Sequence, residues 1–174
     1  MQNILSHIRV ITTNPRLSRG QLQAGTLSVS CALGRAGLTS RKREGDGATP
    51  IGTWPLRELF FRADRIAMPE CALPRSVIEQ DDGWCDDPAS SHYNQLVNLP
   101  FSGSYEEMWR KDHVYDVVVP LGYNDSPPKR GLGSAIFFHL AHDDYRPTEG
   151  CVAISLKDMR KVLAQCGPET VMII

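Results

Sequence analysis

Apolar and polar residues alternate most regularly across residues 21–33. Leu22, Ala24, Leu27, Val29, Cys31 and Leu33 are apolar, with polar or small residues between them. A period of two marks a half-buried strand. The phase slips at Gly25-Thr26, which predicts a hairpin turn or bulge there. Residues 8–12 predict an earlier strand, and residues 59–68 an amphipathic one. Residues 114–121 and 135–140 are strong apolar runs; 151–154 is a short one, and 170–174 closes the chain. Helical spacing occurs in two places. In residues 104–111, Ser104 suits an N-cap, with Glu106 and Glu107 in the first turn and Arg110 and Lys111 in the last. After Ser155, a second N-cap, Leu156, Met159, Val162 and Leu163 share one face, and Gly167-Pro168 ends the helix. Strands dominate, so the pattern predicts a mostly-β fold, a sandwich or barrel with one or two covering helices.

Two polar windows interrupt this pattern. Residues 43–56 hold three glycines and two prolines, which exclude a helix or a central strand and predict a surface loop. No Gly-Lys-Ser/Thr follows, so this is not a phosphate-binding loop. Residues 81–88 carry four carboxylates around Gly83, Trp84 and Cys85. Their spacing does not fit a twelve-residue calcium loop, so the expectation is an exposed acidic loop with Trp84 partly packed.

A length of 174 residues suits one domain spanning residues 1–174. A net charge of -1 predicts no general attraction to nucleic acid or to an anionic membrane. The one basic cluster, Arg41, Lys42 and Arg43, reads as solvated surface, because no stacking or groove-reading motif accompanies it. No segment approaches the ~20 apolar residues of a membrane helix. The first ten residues lack the features of a secretory signal. That predicts a cytoplasmic protein if the N-terminus is native, and a periplasmic one if a signal segment has been removed.

Five cysteines, Cys31, Cys71, Cys85, Cys151 and Cys166, show no C-x-x-C pair, which argues against a structural zinc site. Four of them read as small buried hydrophobes. Cys151 differs. It follows Thr148-Glu149-Gly150 and opens an apolar run, and the preceding apolar run delivers His139. A thiol and an imidazole brought together by two buried segments form a nucleophile and its base. Gly150 allows a substrate backbone close approach, and the amides of Gly150 and Cys151 are candidates to hold an oxyanion. The other reading of Cys151 is a buried core cysteine. His142 is an alternative base, but on a continuing strand it would face away from His139.

The block Gly45-Asp46-Gly47-x-Thr49-Pro50-x-Gly52, followed by His139 on a strand and then by Thr148-x-Gly150-Cys151-Val152, resembles the L,D-transpeptidase catalytic domain (YkuD-like). The blocks stand in the family's order, and a helix follows the cysteine. The resemblance implies a flattened β-sandwich or barrel and no cofactor or metal. It implies that Cys151 attacks the carbonyl that joins the third residue of a peptidoglycan tetrapeptide stem to D-alanine, with His139 as base and then acid. The partner it implies is a peptidoglycan stem peptide or muropeptide. Water as acceptor makes the enzyme an L,D-carboxypeptidase; an amine acceptor makes it a transpeptidase that forms 3–3 cross-links. The expected absence of a signal segment favours hydrolysis, in the trimming of recycled muropeptides.

Three positions depart from the family pattern: Glu149 before Gly150, Ala153 where the family often has Arg or Asn, and Leu140 after His139. An inward-pointing Glu149 would oppose thiolate formation. The loop between His139 and Cys151 then supplies the candidate substrate contacts His142, Tyr145, Arg146 and Thr148, with Arg146 placed to pair with a substrate carboxylate. Loss of the usual Arg/Asn also leaves room for a second class of function, a wall-peptide binding module without catalysis. Residues 81–91 and 122–133 are the candidate substrate rim.

Overall fold

The computed structural model describes residues 4–174; residues 1–3, the start of the N-terminal stretch read above, lie outside the described residues. Strand β1 (His7–Ile11) alternates exposed and buried side chains and pairs antiparallel with β2 (Arg19–Ala24). Gly25, at φ +60°, and Thr26 then turn the chain into β3 (Leu27–Ala32), with Ala24 opposite Leu27. The phase slip in the sequence is therefore a two-residue hairpin, a turn whose left-handed backbone glycine accepts without strain.

The glycine- and proline-rich window contains only short pieces. β4 (Leu38–Thr39) pairs with β5 (Thr49–Pro50), and β6 (Thr53–Pro55) lies at a sheet edge. Next come β7 (Leu59–Phe61), β8 (Arg75–Val77), β9 (Asp82–Cys85), β10 (Leu96–Asn98), β11 (Tyr105–Glu107), β12 (Val117–Pro120), β13 (Phe137–Leu140) and β14 (Val152–Ile154). Helix α1 (Leu156–Leu163) and β15 (Val171–Ile173) complete the chain.

Ten strands form one mixed sheet in the order β6-β15-β1-β2-β3-β14-β13-β12-β7-β8. In a flat sheet β6 and β7 would lie eight strand spacings apart, about 38 Å. Only residues 56–58 join them, and such a link spans about 14 Å at most. The sheet therefore curls until its ends meet. Leu56 bridges to Leu121 just past β12, and the Gly122 N–H donates to the Pro55 carbonyl at 2.8 Å.

Curling divides the side chains between two cores. Phe138, Leu140, Val152 and Ile154 enter the larger one with Ile8 and Leu22, covered by Met159, Val162 and Leu163 of α1. The helix begins as expected: Ser155 Oγ accepts from the Asp158 N–H at 3.2 Å and donates to its carboxylate at 2.8 Å. Phe137 and Cys151 project from the opposite face into a smaller core with Tyr115, Val118, Ile78 and Met108. Fold class and the helix after Ser155 thus follow the pattern: mostly β, with one covering helix among the described residues.

Two local expectations are corrected. Residues 104–111 are not a helix; they contain β11, which pairs with β9. The stretch lacks an apolar helical face and is too short to hold itself helical. Its charges form ion pairs instead, Arg110 with Glu106 at 3.3 Å and with Asp112 at 2.8 Å. Residues 81–88 are not an exposed loop either. They supply β9, the central strand of the small sheet β10-β9-β11, with Cys85 fully buried and Trp84 packed edge-on to Phe137 at 5.2 Å. Asp and Gly are poor strand formers, and pairing on both sides overrides that preference. Asp82 is buried because its carboxylate accepts the Glu79 N–H at 2.8 Å.

Candidate active site

Strands β13 and β14 run parallel and adjacent, with Phe138 opposite Val152 and His139 opposite Ala153. Alternation puts Phe137 and His139 on one face, and Cys151, the residue before β14, comes up beside Phe137. The thiol accepts from the Phe137 N–H at 3.3 Å and donates to the Ala135 carbonyl at 3.2 Å. His139 Nδ1 lies 2.9 Å from the Leu140 carbonyl. A carbonyl only accepts, so Nδ1 carries the proton and Nε2 is left as the basic nitrogen. Both side chains line one pocket of about 400 Å³.

Burial pushes the Cys151 thiol up to about 12, opposed by the Phe137 N–H and raised further by Glu106. Burial likewise holds the His139 imidazole down at about 4, with the Leu140 carbonyl opposing. At neutral pH the pair rests as thiol and neutral imidazole. Among the described residues no hydrogen bond joins the two.

The thiol's acceptor is itself held. Ala135 adopts φ +51°, a conformation that costs a non-glycine residue about 1–3 kcal/mol and persists only where its surroundings impose it. Asn94 imposes it. Its Oδ1 accepts the Ala135 N–H at 3.0 Å and the Trp84 indole N–H at 2.9 Å, while Nδ2 donates to the Tyr123 and Asn124 carbonyls. Glu44 braces the adjoining wall, accepting from Ser134 Oγ at 2.7 Å and from the Tyr93 hydroxyl.

Thr148, Gly150 and the glycine-rich block form the turn under the nucleophile. Thr148 Oγ1 donates to the Cys151 carbonyl at 2.7 Å and accepts the Gly150 N–H at 3.2 Å. Thr148 lines the pocket, but its hydroxyl is engaged within the turn. The Gly150 amide is engaged there too, so of the two amides proposed for an oxyanion it is the Cys151 N–H that is not taken by this turn. Gly150 sits at φ +135°, and a Cβ there would meet the Ala48 carbonyl oxygen at 2.8 Å. Gly150→Ala is expected to cost about 2–4 kcal/mol through strain and overpacking, read by urea denaturation. The block's other residues hold that carbonyl in place. Asp46 accepts the Ala48 and Arg43 N–H groups at 2.9 and 2.8 Å, and Thr49 Oγ1 accepts the Gly34 N–H at 2.8 Å.

The remaining candidates divide. His142 lines the pocket, contrary to the alternation argument, because β13 ends at Leu140 and the strand does not continue to it. Its ring stands edge-on to His113 at 6.0 Å, and Arg146 Nη2 lies 2.9 Å from its Nε2. Arg146 itself is exposed and does not line the pocket. Tyr145 does not line it either; it packs on Ala32, Ala141 and Ala153 and anchors the crossing loop. Ala153 is thus a seat for Tyr145, where a longer side chain would lift the loop. Glu149 points into solvent and pairs with Arg35 at 2.9 Å, so the carboxylate feared beside the thiol is turned away.

Sequence reasoning missed several pocket residues: Lys42, Glu44, Glu106, Arg110 and Tyr115. Tyr115 is buried, stands edge-on to His139 at 5.2 Å and donates to Glu106 at 3.1 Å. Burial raises the Glu106 carboxyl above its ordinary range, opposed by the Tyr115 hydroxyl and Arg110. Asp86 Oδ1 is buried with no hydrogen-bond partner among the described residues. Lys42 is the sharpest correction: the basic cluster read as solvated surface contains a lysine only 7% exposed, ion-paired with Asp46. Only its position four residues before Asp46 hinted at this. The rim expected from residues 81–91 is represented by Asp86; residues 122–133 do not line the pocket, although Ser134 and Ala135 just beyond them do.

Among the described residues no group of three or more His, Cys, Asp or Glu could hold a metal ion, and no helix is long and apolar enough to cross a membrane. No curated protein and no solved structure matches the chain. The family model for the L,D-transpeptidase catalytic domain (YkuD) matches residues 6–174, nearly the whole length. The chain therefore belongs to the L,D-transpeptidase catalytic-domain family, whose chemistry is cysteine-dependent acyl transfer on peptidoglycan peptides.

Proposed function

We propose that the protein is an L,D-carboxypeptidase that removes terminal D-alanine from peptidoglycan tetrapeptide stems, in the trimming of recycled muropeptides. The observation that carries the chemistry is the joint placement of Cys151 and His139 on one wall of a single pocket. His139 Nε2 takes the thiol proton as the sulfur attacks the carbonyl carbon. A C–S bond forms, the C–N bond to D-alanine breaks, and the imidazolium returns its proton to the leaving amine. Water then opens the thioester. With the pair neutral at rest, the thiol proton passes to His139 only as the sulfur attacks. At about 400 Å³ the pocket lies near the small end of ligand sites, a size that suits a peptide end.

Transfer to an amine is the second reading, favoured by the acidic lining of Glu44, Asp86 and Glu106. One experiment separates the two. Incubation with a tetrapeptide stem, with and without a D-amino acid, is followed by mass spectrometry. Hydrolysis predicts tripeptide in both; an exchanged terminal residue in place of tripeptide would establish transfer. Binding without either product would make the protein a wall-peptide module.

A further inference from the structure

We propose that the buried ammonium of Lys42 stabilises the oxyanion formed when Cys151 attacks its substrate, completing an oxyanion hole begun by the Cys151 amide. This inference rests on the acyl-transfer reading above.

The geometry sets Lys42 apart from a surface lysine. Its side chain is only 4% exposed. Its stem lies along Gly133, where a Cβ would meet Lys42 Cγ at 3.0 Å and Cε at 3.1 Å. Its Nζ lies 3.5 Å from the point a Cβ on Gly150 would occupy. One further C–C bond, about 1.5 Å, puts it within about 5 Å of the Gly150 Cα. Lys42 also lines the same pocket as Cys151 and His139. The cation therefore stands over the peptide unit that leads into the nucleophile.

Asp46 fixes the lysine there. Burial opposes ionisation of its carboxyl, but the bonds from Lys42, Ala48 and Arg43 hold it below the usual carboxylate range. A buried lysine serving only to latch this loop needs just Asp46. It does not need to face the pocket, nor a glycine at 133 that leaves its stem room.

The chemistry needs such a group. When the C–S bond forms, the carbonyl π pair moves onto oxygen. The Gly150 amide is engaged by Thr148, which leaves one amide of this turn for that charge. Glu106, which lines the same pocket, disfavours negative charge at the thiol, and Lys42 offsets it. When the oxyanion collapses, the C=O bond is restored and the amine departs with the proton from His139.

The test compares two reactions of one thiol. Acylation by p-nitrophenyl acetate passes through a tetrahedral oxyanion, and alkylation by iodoacetamide does not. Both draw on the same thiolate, so the ratio of their rates at Cys151, mapped by mass spectrometry, cancels any effect on thiolate supply. Lys42→Met is expected to lower the acylation-to-alkylation ratio about 10²-fold, as loss of an oxyanion donor does, with Lys42→Arg restoring most of it. Lys42→Gln carries the same comparison should the methionine variant not fold. A ratio unchanged in these variants, whether or not both rates fall, would overturn the proposal and leave Lys42 as a support of the thiolate or the loop. Failure of the unmodified protein to be acylated at Cys151 would instead count against the acyl-transfer reading itself.

Discussion

Cys151→Ala is expected to lower turnover of a tetrapeptide stem by about 10⁴-fold or more, with the fold retained. The sulfur is the atom to which the acyl group transfers, and the free cysteines nearest in character cannot replace it. Cys31, Cys85 and Cys166 are buried, and none of the three lines the pocket. Folding should survive, since the variant removes one atom from a small core and leaves β13 and β14 paired. Its cost lies in the Phe137 N–H and Ala135 carbonyl, which lose their sulfur partner, about 1–3 kcal/mol together. Cys151→Ser keeps a group that can donate and accept in the same place, so it should be the more stable variant and nearly as inactive. Turnover by mass spectrometry and urea denaturation of both variants check this. Full turnover by either would remove Cys151 from the chemistry.

His139→Gln is expected to act in opposite directions on activity and on acid stability. Turnover should fall by about 10²–10⁴-fold, the usual contribution of a positioned base. Stability in acid should improve. In the folded protein the imidazole is held at about 4, below the ordinary 6.5 of the unfolded chain. Between those values the unfolded chain binds a proton that the folded protein does not. The stability due to His139 is therefore fully present above pH 6.5 and is lost as the pH falls towards 4. Glutamine has no such proton. Between pH 7.5 and 4.5 the unmodified protein should thus lose about 2–3 kcal/mol more than the variant. Denaturant midpoints at the two values measure it, and equal losses would mean that His139 is not buried as a neutral ring.

The two cysteine and histidine positions were legible because each stands in a run of apolar residues with a local signature. His139 lies within a strong strand pattern, and Cys151 follows a glycine and opens another. The helix after Ser155 was legible for the same reason, with cap and apolar face both local. Errors arose where the deciding interaction is distant. Residues 104–111 carry helix-like charges, yet Tyr105, Glu106 and Glu107 pair with Cys85, Trp84 and Gly83, some twenty residues away. Asp82 and Asp86 read as solvated because nothing in their own segment shows the strands on either side.

By itself the sequence determined the mostly-β class, the break in the strand pattern at Gly25-Thr26, the covering helix after Ser155, the family resemblance, and the pair of residues worth testing. All are carried by periodicity, by turn chemistry, or by motifs that span a few residues. Only the tertiary structure decided which charges face the thiol. Glu149, adjacent in sequence, is turned outward to Arg35, whereas Lys42, more than a hundred residues away, lies buried over Gly150. It also set the states of the pair, since the burial that lifts the thiol and lowers the imidazole comes from a sheet curled through its whole length. The physical reason is that backbone periodicity is a local property, while burial and electrostatic fields sum over whatever the fold brings near.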